Sequence, residues 1–181
     1  MVTIETLRKR ATDFSNTFAD AAYEMGQAQS FVIELCKIFD LNYLKAVRFE
    51  DRVKKLKGKG RIDAFFPSLL LVEMKSAGKD LDEAYIQASE YIQGLKDEEV
   101  PRCVLVSDFQ NIHLYNQEDK GEPLKIKLAE LPQYIESFRF LTGYKKLFDE
   151  RQERINKDAA EKMAGLHDAI KATGYEGKDL E

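Results

Sequence analysis

Asp63, Glu73 and Lys75 are the residues whose types and spacing suit chemistry. They interrupt two otherwise apolar runs, 61–66 and 69–75, which are joined around Pro67-Ser68 and read as a β-hairpin buried on both faces. With Pro67, Ser68 and Leu69 as the loop, Asp63 stands directly across from Glu73, and facing residues have Cβ atoms about 4.5–5.5 Å apart. Lys75, two residues beyond Glu73, projects from the same face. Burying two adjacent carboxylates is costly, because like charges raise one another's pKa and desolvation adds to the penalty. A divalent cation removes the conflict, and hard oxygen ligands with no His or Cys nearby favour Mg²⁺, with Mn²⁺ as substitute, over zinc. Such an ion polarises a phosphate oxygen and activates a bound water, while Lys75 orients that water or offsets charge on the phosphate. The chemistry implied is metal-assisted phosphodiester hydrolysis. A surface salt bridge of little energetic worth is the bland alternative, and the apolar surroundings of the three charges weigh against it.

The elements that must position this group follow from periodicity. Residues 3–25 carry Ile4, Leu7, Ala11, Phe14, Phe18, Ala21, Ala22 and Met25 at helical spacing, with Gly26 ending the helix, and a second helix runs from Gln27 to Phe39. From Val47 to Val53 the period shortens to two, as in a half-exposed strand. The stretch Arg52–Arg61 then holds six cations and no acid, with Gly58 and Gly60 marking a flexible turn. After the hairpin, Asp80 and Glu83 form a capping-box-like start to a helix reaching about Leu95, followed by a buried strand over 102–107. Strand, helix and buried strand imply a crossover and a parallel pairing. Two further strands, Asn111–Tyr115 and Leu124–Leu128, precede a helix over Ala129–Leu141 and a long charged helix over Tyr144–Ala172. The class is α/β, a mixed β-sheet flanked by helices, with N-terminal helices and a C-terminal helical extension.

The run Gly60-Arg61-Ile62-Asp63 followed by Glu73-Met74-Lys75 resembles the active-site signature of the PD-(D/E)xK nucleases, with isoleucine in place of the proline before the first acid. That resemblance implies a restriction-endonuclease-like core in which Asp63 and Glu73 bind the metal with the Met74 carbonyl and Lys75 serves the attacking water. Gln87 and Tyr91, four apart and so on one helix face, look like the Gln-x-x-x-Tyr element of nucleases similar to RecB and the type I restriction motor subunit, where it flanks the active site and approaches DNA. Glu34 on the second helix is a candidate for the further acid some members place near the metal. Lys59 and Arg61, within the cationic stretch, are candidates for salt-sensitive contact with a phosphate backbone.

A narrower resemblance extends over nearly the whole chain. It rests on residues 60–67 and 71–81, the helix with Gln87 and Tyr91, Val106-Ser107-Asp108-Phe109, 138–143 and 157–167, which together look like the N-terminal part of MmeI-like single-chain restriction-modification enzymes of types IIG and IIL. It implies an Mg²⁺-dependent endonuclease domain over residues 1–143 acting on double-stranded DNA, and the start of a helical spacer over 144–181. Downstream methyltransferase and target-recognition domains of the same polypeptide would be the partners, with dimerisation on DNA left open. The chain has no Gly-rich S-adenosylmethionine loop and no Asn-Pro-Pro-Tyr-type tetrad. That cofactor and methyl transfer therefore belong, on this reading, to absent sequence. The rival is a catalytically inactive module that keeps the nuclease fold to bind DNA or dock a subunit.

Composition bounds the rest. A chain of 181 residues with net charge −4 and 44% hydrophobic residues is long enough for one real core. No apolar run approaches the roughly 20 residues of a membrane helix, and no signal-peptide pattern opens the chain, so a cytoplasmic protein is expected. Cys36 and Cys103 sit apart in apolar runs and read as reduced core thiols. His113 and His167 lack partner patterns and read as structural or surface residues, and Ser107-Asp108 as a loop-capping pair.

Overall fold

The computed structural model describes residues 2–55, 58–119 and 121–172, with side chains described in all of these except 24–25, 51–55, 58–61, 143–155 and 172. Helix α1 (Ile4–Thr17) starts where the Thr3 hydroxyl accepts the Thr6 N–H, and α2 (Glu24–Ile38) follows after a turn. One continuous helix to Gly26 is thus not formed, and Gly26 lies in the first turn of α2; the side chain of Met25 lies outside the described residues. Two features explain the break. The Gln27 side-chain oxygen accepts the N–H groups of Ala22 and Tyr23, tying down the entry to α2, and the reversal packs Phe31 against both Phe14 and Phe18 with ring centroids 4.8 and 5.1 Å away.

After the short α3 (Tyr43–Ala46), β1 (Arg48–Lys55), β2 (Gly58–Phe66) and β3 (Leu70–Met74) form an antiparallel meander. The expected flexible turn over 52–61 is corrected: β1 runs through Lys55 and β2 resumes at Gly58, leaving only residues 56–57 between them, outside the described residues. Helix α4 (Leu81–Ile92) begins at Asp80, whose carboxylate accepts the N–H groups of Asp82 and Glu83. It carries the chain over to β4 (Cys103–Ser107), which pairs parallel with β3; β5 (Asn111–Asn116) and β6 (Leu124–Lys127) complete the sheet antiparallel, in the order β1-β2-β3-β4-β5-β6. The mixed sheet of the expected α/β class is the one observed.

Every residue of β3 and β4 is buried, as strands covered on both faces require. One face packs Ile62, Phe65, Leu71, Val104 and Val106 against Leu81, Ala84, Ala88 and Tyr91 of α4. The segment expected as one α-helix over 129–141 is largely 3₁₀, with α5 (Leu131–Tyr134) between 3₁₀ stretches at Leu128–Glu130 and Ile135–Gly143. Its buried residues Ile135, Phe138 and Leu141 recur every third position, a period that aligns on one face of a 3₁₀ helix and drifts on an α-helix. Helix α6 (Tyr144–Ala172) follows, and the chain divides into two compact units, Met1–Tyr144 and Lys145–Glu181. Cys36 and Cys103 are free and buried, and burial pushes their thiols up to about 12 and about 11. No helix among the described residues is long and apolar enough to cross a membrane.

Candidate active site

The hairpin pairs Phe66 with Leu70, Phe65 with Leu71 and Ala64 with Val72, the register that a Pro67–Leu69 loop requires. Its turn is held from outside, because Ser68, at φ 65°, donates its N–H to Glu99 O and its hydroxyl to Glu98 O. Asp63 and Glu73 are the next facing residues, and there the paired ladder stops. Asp63 Oδ2 instead accepts the Met74 N–H at 2.7 Å, so the acid of β2 is fastened to the main chain of β3.

Glu73 and Lys75 project from one face, as period two demands, and Lys75 Nζ lies 2.7 Å from Glu73 Oε1. The ammonium also donates to Gln87 Oε1 at 3.1 Å, and Gln87 Nε2 donates to the Tyr91 hydroxyl at 2.7 Å. The Glu73 side chain is 3% exposed and that of Lys75 20%, so this is no solvated surface pair. A half-removed buried pair leaves an uncompensated charge costing about 3–5 kcal/mol, which makes the two side chains mutually dependent.

The loop after Lys75 is clamped by the end of β4. Lys75 N–H donates to Ser107 O, and Asp108 Oδ2 accepts the N–H of Gly78, at φ 79°, while its Oδ1 accepts those of Gln110 and Asn111. Ser107-Asp108 is therefore a loop-capping pair, and what the sequence did not reveal is its reach to Gly78, thirty residues upstream. A second network went unread in the sequence: Asp82 accepts from Lys125 and Tyr115, and these contacts hold its carboxyl below the usual range. Tyr85 stacks on Tyr115 at 3.7 Å, tying the start of α4 to β5 and β6. His113 lies beside this network, 3.8 Å from Asp82, and burial lowers its pKa. His167 lies exposed on α6 beside Asp168.

Three expectations need correction or restriction. Tyr91 is 2% exposed and belongs to the core under α4, so its hydroxyl serves Gln87 and its ring is not presented to DNA. Glu34 is ion-paired with Lys37 one turn along α2, and no three acidic, His or Cys side chains among the described residues converge as metal ligands, so the structure does not bring Glu34 to Asp63 and Glu73. The side chains of Lys59 and Arg61 lie outside the described residues; only their backbone positions on β2 are described.

The donor set fits a hard divalent cation. Two carboxylates stand at facing register positions, Asp63 engaged by the Met74 N–H and Glu73 by Lys75, and a carboxylate has acceptor capacity on both oxygens. Mg²⁺ is ordinarily held by one or two carboxylates and completes its shell with waters and substrate phosphate, so a third protein acid is not required.

A hairpin bearing these acids, a crossover helix and a parallel strand together define a mixed α/β core. Residues 9–173 match the family described as MmeI, N-terminal domain, and the chain belongs to that family. Among solved structures, the cryo-EM structure of a DrdV–DNA complex is similar over 78% of this chain, at 14% identity and a TM-score of 0.45. The chain covers 14% of the length of that one. No curated protein matches.

Proposed function

We propose that this chain is the endonuclease domain of a restriction-modification enzyme, hydrolysing phosphodiester bonds of double-stranded DNA with Mg²⁺. The observation that carries the reading is the convergence of Asp63, Glu73 and Lys75 on one hairpin, with the ammonium held between Glu73 and Gln87. Asp63 and Glu73, with the Met74 carbonyl, would hold the ion. When bound, it supplies charge for a phosphate oxygen and a lowered pKa for a coordinated water. Lys75, held by Glu73 and Gln87, would orient the attacking water or offset charge on a phosphate oxygen. In this reading the domain works in the cytoplasm beside methyltransferase and target-recognition regions of the same polypeptide, which use S-adenosylmethionine.

Calorimetric titration with Mn²⁺ tests the metal site: binding by the wild type that disappears in Asp63→Ala supports the enzyme. Absence of binding by the wild type would instead identify a non-catalytic module of the same fold. Lys75→Ala in the full-length protein is expected to abolish DNA cleavage, with a thermal melt taken alongside to separate lost chemistry from lost folding.

A further inference from the structure

Glu50 lies within β1, exposed, at φ 51°, the left-handed region that glycine enters freely and other residues rarely do. The β1–β2 register passes from Phe49 opposite Ala64 to Asp51 opposite Ile62 without pairing the two residues between, and those two are Glu50 and Asp63. No residue is inserted on either strand, so Glu50 stands across from the candidate metal ligand. Alternation changes at the same point. Ile62 and Phe65, three apart, both pack against α4, where an unbroken strand would send them to opposite faces.

The gap changes what Asp63 can reach. Leu69 O accepts the Cys103 N–H and Lys75 N–H donates to Ser107 O, so the main chain at both ends of β3 points to β4, and that of Met74, one residue out of phase, points to β2. An unbroken ladder would offer the Met74 N–H the carbonyl of Ile62, the next partner after Phe66 with Leu70 and Ala64 with Val72. Asp63 Oδ2 takes it instead, at 2.7 Å. The carboxylate enters that place where β2 leaves its regular pleat, and a left-handed residue opposite lets β1 follow, much as a β-bulge re-aims a side chain beside an active site. No three acidic, His or Cys side chains among the described residues converge as metal ligands, so the contribution of Glu50 lies in its main chain and not in its carboxylate.

We propose that Glu50 is a positioning residue for Asp63: its left-handed main chain opens the β1–β2 pairing so that the Asp63 carboxylate turns in to the Met74 N–H. The inference deepens the endonuclease reading, on which its consequence for metal binding rests.

The test is a set of substitutions in the full-length protein, read by thermal melting, by hydrogen exchange at the Met74 amide and by Mn²⁺ titration. Glycine is ordinarily poorer than alanine in a strand, and at a left-handed position the order reverses. Glu50→Gly should therefore melt above Glu50→Ala, both with wild-type exchange at Met74 and Mn²⁺ affinity within about twofold. Glu50→Val, β-branched and strand-forming, should draw the residue back to the extended region and accelerate exchange at Met74. Its Mn²⁺ affinity should fall about tenfold, as expected when a hydrogen bond to a charged group is lost. Glu50→Gly melting below Glu50→Ala, or Met74 exchange unmoved in a folded Glu50→Val, overturns the positioning role, and the first comparison holds whether or not the valine variant folds. Weakened Mn²⁺ binding in Glu50→Gly and Glu50→Ala alike would make the carboxylate itself a ligand and overturn it too. A wild type that binds no Mn²⁺ overturns the nuclease reading instead, with melting and exchange still deciding the role of Glu50.

Discussion

The Gln87 amide nitrogen donates to the Tyr91 hydroxyl at 2.7 Å, so the amide whose oxygen must face the donor-only ammonium of Lys75 is anchored to a core residue. With the nitrogen engaged, the oxygen is turned to the ammonium at 3.1 Å. Reversed, the amide would set a donor against a donor, and Lys75 would lose this acceptor.

Tyr91→Phe removes that anchor while keeping the buried ring. One net hydrogen bond is worth about 1 kcal/mol, and 1.4 kcal/mol is tenfold in rate, so the single-turnover cleavage rate should fall by about fivefold to tenfold. DNA affinity should stay within about twofold, since the residue is in the core. A variant with full cleavage rate and weakened DNA binding would restore Tyr91 to the DNA contacts.

Asp108→Asn probes the clamp on the loop after Lys75. Its oxygen can stay with Gln110 and Asn111, but the new amide nitrogen then meets the Gly78 N–H. Gly78 is exposed and the bond only part-buried, so its loss costs one net hydrogen bond, about 1 kcal/mol. Hydrogen exchange at the Gly78 amide should accelerate and cleavage should slow. Unaltered exchange at that one amide would show that the clamp does not hold the loop.

His113 should give the protein an acid-sensitive component of stability. Burial, then Lys125, lowers its pKa, so the folded state takes up the proton less readily than the unfolded chain, whose imidazole titrates near about 6.5. For a depressed folded pKa, the stabilisation is complete above the unfolded value and declines as pH falls through the folded one. His113→Gln should therefore flatten the fall in urea midpoint on going from about pH 7 to about pH 5. Parallel profiles for the two proteins would place the acid sensitivity elsewhere.

Much of this molecule is legible in local chemistry. The hairpin register follows from a three-residue turn and from side chains alternating across a strand, which is why Asp63 and Glu73 fall opposite one another by arithmetic alone. The parallel pairing of β3 with β4 follows from the helix between them, and the start of α4 from the cap at Asp80. The break after Thr17 did not announce itself, because the apolar stripe runs on through Phe18 and Ala21, and only the packing of Phe31 against Phe14 and Phe18 chooses a reversal over a longer helix.

The site divides the same way. Residue types and spacing by themselves determined that Glu73 and Lys75 share a face, since strand geometry repeats every two residues. Tertiary structure alone decided that Tyr91 is core and that Asp108 reaches Gly78. Those outcomes depend on which elements meet, and such contacts are set by burial over the whole chain, to which no short window of sequence has access.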